Sequence, residues 1–330
     1  MQKNKHELFK IRALTNFFGI YQHGKYSEID KKFGFALEDQ SRALMVADEF
    51  KDLRLKKIYR NFIVNAHKTN GNFCQFYYED NEGNILISDV YNCSEEAMGI
   101  TLWALLKSYK RKDKQINEIT NNLISKATKW GHVRSLSSAL LGLSSLQKQT
   151  VAEKKILNKI FKFYKNNSEP NWQWFEQKLT YANAIIPWSL WKIAKNRGNI
   201  KARRIAEITT KFLINRCQKN GIPLVIGCKG WHCKGEFELP EYDQQPIDAA
   251  YMVCCLETAY ETTGDNYYLE WLIKWWKWFY GNNLKNVCMI DNKGCCYDGI
   301  TITGVNENQG AESNICYLMA LAVIKRMKII

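Results

Sequence analysis

Residues 294–313, GCCYDGITITGVNENQGAES, run directly into NICYLMALAVIK (314–325), and the reading of this junction decides the fold. The second piece is apolar on nearly every face, and a helix of that kind is buried. The first piece sets Asp298, Asn306, Asn308, Gln309 and Glu312 among four glycines, just ahead of the buried helix. Glycine there lets backbone approach a ligand closely. The same grammar recurs upstream. FGFALEDQSRALMVADEF (33–50), WQWFEQKLTYANAIIPWSL (172–190) and EYDQQPIDAAYMVCCLETAY (241–260) each put acids or amides at the head of an apolar helix. Carboxylates and aromatics repeatedly placed at one end of buried helices describe a cup. A cup lined by acids, amides and Trp suits a sugar.

Working outward, apolar residues recur at helical spacing in about twelve segments: 6–19, 36–51, 53–67, 94–109, 114–129, 135–147, 151–166, 175–195, 199–218, 245–262, 267–281 and 309–327. They alternate in character. Six inner segments, those at 94–109, 135–147, 245–262 and 309–327 small-residue-rich and apolar nearly all round, begin near 36, 94, 135, 176, 245 and 309, at the spacing of helix-pair repeats. Five peripheral segments, those at 53–67, 114–129, 151–166 and 199–218 with Lys and Arg on one face, follow the first five, and the N-terminal segment supplies a sixth. This predicts an all-α (α/α)6 toroid of six helical hairpins. Short β-hairpin insertions are expected within 71–90, 221–236 and 286–299. An open superhelix would show the same alternation, but polar capping repeats are absent, which favours closure. With five prolines and no Pro/Gly/Ser-rich linker, residues 1–330 read as one domain.

The formal charge of +14 raises the question of nucleic acid. The lysines, however, are scattered over outer helix faces. The densest runs, KSYKRKDK (107–114) and IKARRIAEITTK (200–211), lack the interleaved aromatics of a single-strand platform, so no nucleic-acid partner is expected. No run reaches eighteen apolar residues, so no membrane span is expected. Eleven cysteines, an odd number, with no secretory signal point to reduced thiols in a cytoplasm. Cys228, His232 and Cys233 fit no zinc spacing, and neither metal nor cofactor is expected. There is no Walker loop, G-x-G-x-x-G, G-x-S-x-G or H-E-x-x-H, and there are only five histidines. Carboxylate chemistry is what remains.

The candidate residues fall into five groups. Glu38 and Asp39 with Arg42 form either a cup carboxylate pair with its cation or a helix cap with a local ion pair. Trp174, Glu176, Tyr181 and Asn183 can stack on a pyranose and bond its hydroxyls, or the aromatics can be core. Trp231 lies in the glycine-rich loop GCKGWHCKGE (227–236). Asp243, Gln244, Gln245 and Asp248 surround Pro246, which suits a first helical turn. Asp298, Asn306, Gln309 and Glu312 complete the set. The catalytic candidates are Asp243 as general acid and Asp39 or Asp298 as base, with Glu312 beside them. Helix N-termini host acids whether or not those acids act chemically.

Five motifs carry a family likeness: ALEDQSRAL (36–44), CSEEAMGITLWAL (93–105), WFEQKLTYANAIIPWSL (174–190), EYDQQPIDAAYMV (241–253) and GCCYDGITITGVNENQGAES (294–313). They resemble an uncharacterised bacterial family of the six-hairpin glycosidase-like superfamily, often labelled glycosyltransferase because it occurs beside or fused to one. The resemblance implies an (α/α)6 fold, carbohydrate chemistry and a glycosyltransferase as candidate partner. The chain departs from the family pattern at Glu38 and Gln40, where the family has Asp and Asn. It departs again at Glu96, Met98 and Ile100, where the family has Asp, His and Arg, and at Ile185, often Arg. Three functions follow as expectations. They are a glycoside hydrolase cleaving an oligosaccharide with paired carboxylates, a non-catalytic glycan-binding module, and a sugar transferase or phosphorylase component.

Overall fold

In the computed structural model, which describes residues 7–25, 28–68, 71–88, 93–109 and 113–329, twelve α-helices form two concentric rings. The inner ring comprises α2 (Leu37–Glu49), α4 (Glu95–Ser108), α6 (Val133–Ser144), α8 (Ile185–Arg197), α10 (Pro246–Thr263) and α12 (Ala311–Arg326). The outer ring comprises α1 (Phe9–Ala13), α3 (Leu53–Ala66), α5 (Lys114–Ala127), α7 (Val151–Asn167), α9 (Ile200–Arg216) and α11 (Asn266–Trp278). Each inner helix packs on the next inner helix and on its outer neighbour, and α12 returns to pack on α2. That last contact makes the assembly a closed toroid rather than a superhelix.

The two kinds of connection differ sharply. Inner-to-outer links are short: Gly198 and Asn199 join α8 to α9, and Gly264 and Asp265 join α10 to α11. Both glycines take the left-handed conformation that ends a helix, with φ of 64° and 70°. Outer-to-inner links are mostly long and carry all the described strands. These pair as β1 (His23–Lys25) with β2 (Glu28–Asp30), β4 (Phe76–Glu79) with β3 (Phe35–Ala36) on one side and β5 (Ile85–Ile87) on the other, β6 (Lys178–Leu179) with β9 (His232–Cys233), β7 (Gln218–Lys219) with β8 (Ile222–Pro223), and β10 (Gly299–Thr301) with β11 (Gly304–Asn306). The long links therefore build a rim at the N-terminal end of the inner ring. The antiparallel register Leu179↔His232 and the bridge Gln244↔Ile300 bind neighbouring rim loops to one another.

Two expected boundaries are corrected. The fourth inner helix starts at Ile185, not near 176, because Ala182 takes a φ of 49° and the Asn183 amide turns back onto Thr180. The first helix is Phe9–Ala13, shorter than the expected 6–19. The chain turns at Thr15, whose backbone bridges to Ile20, and residue 6 lies outside the described residues. Lys110, Arg111 and Lys112 of the basic run, and residues 89–90 of the first strand-like stretch, also lie outside them. Among the described residues no helix is long and apolar enough to cross a membrane.

The inner helices approach closely where side chains vanish. A Cβ at Gly142 would sit 2.8 Å from the Trp103 Cα, and one at Gly99 would sit 2.8 Å from the Ser135 carbonyl oxygen. Backbone cannot swing aside as a side chain can, so α4 and α6 depend on these two glycines. Gly142→Ala should lower stability by about 1–3 kcal/mol, the usual cost of overpacking. Urea unfolding would check this, and an unchanged midpoint would show that the helices can part without penalty.

Candidate functional site

Helix capping separates the two rings. The long outer helices α3, α5, α7, α9 and α11 are each capped by a side chain, from Asp52, Asp113, Thr150, Asn199 and Asp265. Of the inner helices only α4 has such a cap, from Ser94. Ala36, His132, Ala184, Gln245 and Gly310 supply none. Uncapped N–H donors and the positive ends of the helix dipoles thus face the rim. Acids in the first turns of these helices are well placed in that field.

Arg42 organises the centre. It is buried on the second turn of α2, with 4 % of its side chain exposed. Its Nη1 bonds Glu312 Oε2 at 2.9 Å and lies 3.6 Å from Asp39 Oδ1, while Nε donates to the Tyr251 hydroxyl at 3.3 Å. Both carboxylate oxygens meet the same nitrogen, so they lie within about 6.5 Å of each other, the distance scale of paired glycosidase carboxyls. The two acids differ in setting. Asp39 is buried, and desolvation holds its carboxyl well above the usual range. Glu38, Glu312 and Asp298 push the same way, and Arg42 opposes them. Glu312 keeps 40 % of its side chain open. Glu38 is also raised by burial, with the Gln75 amide 3.3 Å away.

A second cation, Arg134 at the start of α6, was not singled out from the sequence. Its guanidinium donates to the Tyr181 carbonyl and Glu176 Oε2, both at 2.8 Å, to Thr180 and to Asn183 Oδ1. It also lies 5.1 Å from the centre of the Tyr181 ring. The Tyr181 hydroxyl bonds Glu96, and its ring centre is 6.0 Å from that of Trp231. Tyr181 and Trp231 are half-buried and form an aromatic wall. Asp248, in the first turn of α10, is pushed up to about 7 by burial, against the opposing pull of the Asn183 N–H and Arg134.

The other candidates make contacts of their own. Trp174 is fully buried and packs on Phe175 and Phe212, so it is core rather than a stacking platform. The Gln244 amide is buried between the Trp278 indole N–H and the Glu241 carbonyl. Gln309 donates to Asp291 at 2.8 Å, leaving its buried Oε1 without a partner. Asn183 closes the turn before α8. Asn306 is exposed on β11, where its side chain accepts from the Asn308 N–H. Gln245 is half-buried at the N-cap of α10. Asp298 accepts from the Gly310 N–H and the Ser313 hydroxyl, both at 2.7 Å, and so ties β10 to the head of α12. Burial raises its pKa, against these two donors. Asp243 pairs with a different cation. It is ion-paired to Lys229 at 3.1 Å, with 28 % of its side chain exposed. Of the departures from the family pattern, Ile100 and Ile185 are buried in the core, and Met98 is half-buried. Among the described residues no group of three or more His, Cys, Asp or Glu could hold a metal ion.

Below the carboxylates the ring is blocked. The Trp103 and Trp188 ring centres lie 5.0 Å apart, edge to face, and Tyr251 lies 5.8 Å from Trp188 and 6.5 Å from Trp103. The Trp188 indole N–H is fixed by Thr258 at 3.0 Å. The two arginines lie between this floor and the rim loops, at the N-terminal end of the inner ring.

No family model matches the chain, and no curated protein matches it. Solved structures do. A sugar epimerase from a ruminal bacterium is 14 % identical, with a TM-score of 0.70 over 98 % of either chain. A D-mannose isomerase is 12 % identical, with a TM-score of 0.71 over 100 % of this chain and 96 % of its own. The GH76A α-1,6-mannanase from Salegentibacter sp. HEL1_6 is 11 % identical, with a TM-score of 0.67 over 99 % of this chain and 98 % of its own. None of these three is a glycosyltransferase. At such identities the likeness concerns architecture, and the chain has the (α/α)6 fold of the six-hairpin glycosidases.

Proposed function

We propose that the cup is the active site of a carbohydrate-active enzyme that cleaves a neutral oligosaccharide with Asp39 and Glu312. One observation carries this reading: two carboxylates share the Arg42 guanidinium, one desolvated and the other open to the cup. Two carboxylates in such different settings can take the separate roles of acid and base. Asp39, which burial pushes towards its protonated form, donates to the glycosidic oxygen. Glu312, aligned by Arg42, attacks the anomeric carbon or activates water. Tyr181 and Trp231 offer the sugar a stacking wall. Asp243, engaged by Lys229, is replaced as the acid.

Charge narrows the substrate. Glu38, Asp39, Glu96, Glu176, Asp248, Asp298 and Glu312 gather around Arg42 and Arg134 in a chain that is basic overall. Such a cup repels uronates and sugar phosphates. The solved structures of like fold include a mannanase and enzymes described as sugar isomerases and epimerases, which supports carbohydrate as the substrate class. The second reading is a glycan-binding module, alone or beside a transferase or phosphorylase partner. It is favoured by the apolar Ile100 and Ile185 where the family pattern has polar residues.

The test is product release from manno- and gluco-oligosaccharides, with uronate-containing chains as controls. Asp39→Asn and Glu312→Gln should each lower kcat at least about 1,000-fold, equivalent to about 4 kcal/mol. Calorimetric affinity for the glycan should change only a few-fold. Binding without turnover by the unmodified protein would establish the binding module, and normal turnover by either variant would remove that residue from the chemistry.

A further inference from the structure

Beneath the aromatic floor lies a second opening, at the C-terminal end of the inner ring. It is a cavity of about 330 Å³, within the size range of small-molecule sites. We propose that it binds a small amphipathic anion, an aryl or medium-chain alkyl carboxylate. This goes beyond the reading of the cup and does not depend on it.

The cavity joins an apolar interior to a charged mouth. Trp103 and Trp188, whose other side closes the cup, line it together with Leu141, Cys254 and Met319. Around the mouth, cations and acids are matched. Lys107 lies 3.5 Å from Glu49, Lys195 lies 2.8 Å from Glu261, and Arg326 grips Glu257 through Nε and Nη2 and also reaches Glu49. Lys192 is different. It stands on α8 one turn beyond Trp188, is half-buried, and has no carboxylate within 4 Å among the described residues. Glu257 and Glu261 act on it from farther away, while burial pulls its pKa down. A partly desolvated ammonium beside two indoles is short of one negative neighbour.

Helix C-termini would ordinarily repel an anion here. Two of these termini are already covered. The Ser108 carbonyl at the end of α4 accepts from Lys56 at 3.0 Å. The Ser144 carbonyl of α6 accepts from Asn196 at 3.0 Å, and the Leu143 and Leu146 carbonyls accept from Arg197. Lys192 remains the uncommitted charge. A ligand with a flat or extended apolar body against Trp103 and Trp188 and a carboxylate on Lys192 would fill the space and complete the ion pairing.

Isothermal titration of the full chain with 1-naphthoate, and with the neutral 1-naphthalenemethanol, tests the assignment. The carboxylate should bind at one saturable site, and the alcohol at least tenfold more weakly. Lys192→Met should weaken naphthoate at least tenfold, whereas Lys192→Arg should keep it within threefold. Leu141→Trp should block the cavity, and Glu312→Gln, at the cup, should leave naphthoate binding unchanged. Absence of saturable binding, equal affinity for acid and alcohol, or full affinity in a folded Lys192→Met protein would each overturn the proposal. Loss of naphthoate binding in Glu312→Gln would assign the ligand to the cup instead, with the same effect.

Discussion

Arg42→Met should lower stability by about 3–5 kcal/mol at pH 8, the usual cost of leaving a buried charge without its partner, and should abolish turnover. Asp39, Glu312 and Glu38 would then crowd the head of the ring with no cation among them. The defect should shrink towards pH 5. Arg42 opposes the upward shift of Asp39 and Glu38, so removing it raises both further, and a protonated carboxyl no longer misses the guanidinium. Urea unfolding at the two pH values reads this directly. Arg42→Lys should recover much of the stability and little of the activity, since an ammonium cannot hold Asp39, Glu312 and Tyr251 in one fork. An Arg42→Met protein as stable and active as the original would end the account of the cup.

Asp248→Asn should do the opposite and stabilise the protein. A carboxyl at about 7 in the folded chain against a reference of 3.8 binds its proton more tightly in the native state. Stability therefore falls as pH rises from about 4 to about 7, where the native state holds more protons than the unfolded one. Above that window the full penalty applies, about 4 kcal/mol for a shift of this size. Asparagine keeps an acceptor for the Asn183 N–H, 3.4 Å from Asp248 Oδ1, and cannot ionise. The variant should gain several kcal/mol at pH 8 and almost nothing at pH 4. A flat difference between the two pH values would show that Asp248 ionises freely in the fold. A carboxyl held where it weakens the structure fits a functional group better than a helix cap.

The helices were legible because each inner segment must be apolar on all sides and each outer one on a single face, and that contrast is written locally. Closure was less legible, because an open superhelix has the same alternation and only the absence of polar capping repeats spoke for a ring. The cup was half legible. Asp39, Arg42 and Glu312 sit in first or second helical turns that the apolar runs announce. Arg134 was missed because its partners come from a loop more than 40 residues later, and nothing in VRSLSSALL marks them. Trp174 and Trp231 could not be told apart for a similar reason. Phe212 on α9 buries the first, whereas Trp231 keeps partly open beside Tyr181. Gln244 and Gln309 looked like ligands because a buried amide that braces a rim has the same letters as one that binds a hydroxyl.

The bond from Arg42 to Glu312 spans 270 residues. The seam it sits on has a consequence for how the protein is made. Synthesis delivers α2 early and α12 late, so nine helices emerge between them before the ring can shut. Throughout that interval the growing arc has two raw flanks, one on α2 and one on the newest inner helix, both shaped to receive an apolar helix. Exposed surface of this kind makes nascent chains prone to associate, and contacts of such long range slow folding. Final assembly is thus a single late event, in which placing α12 seals the core and brings Glu312 to Arg42 in the same step.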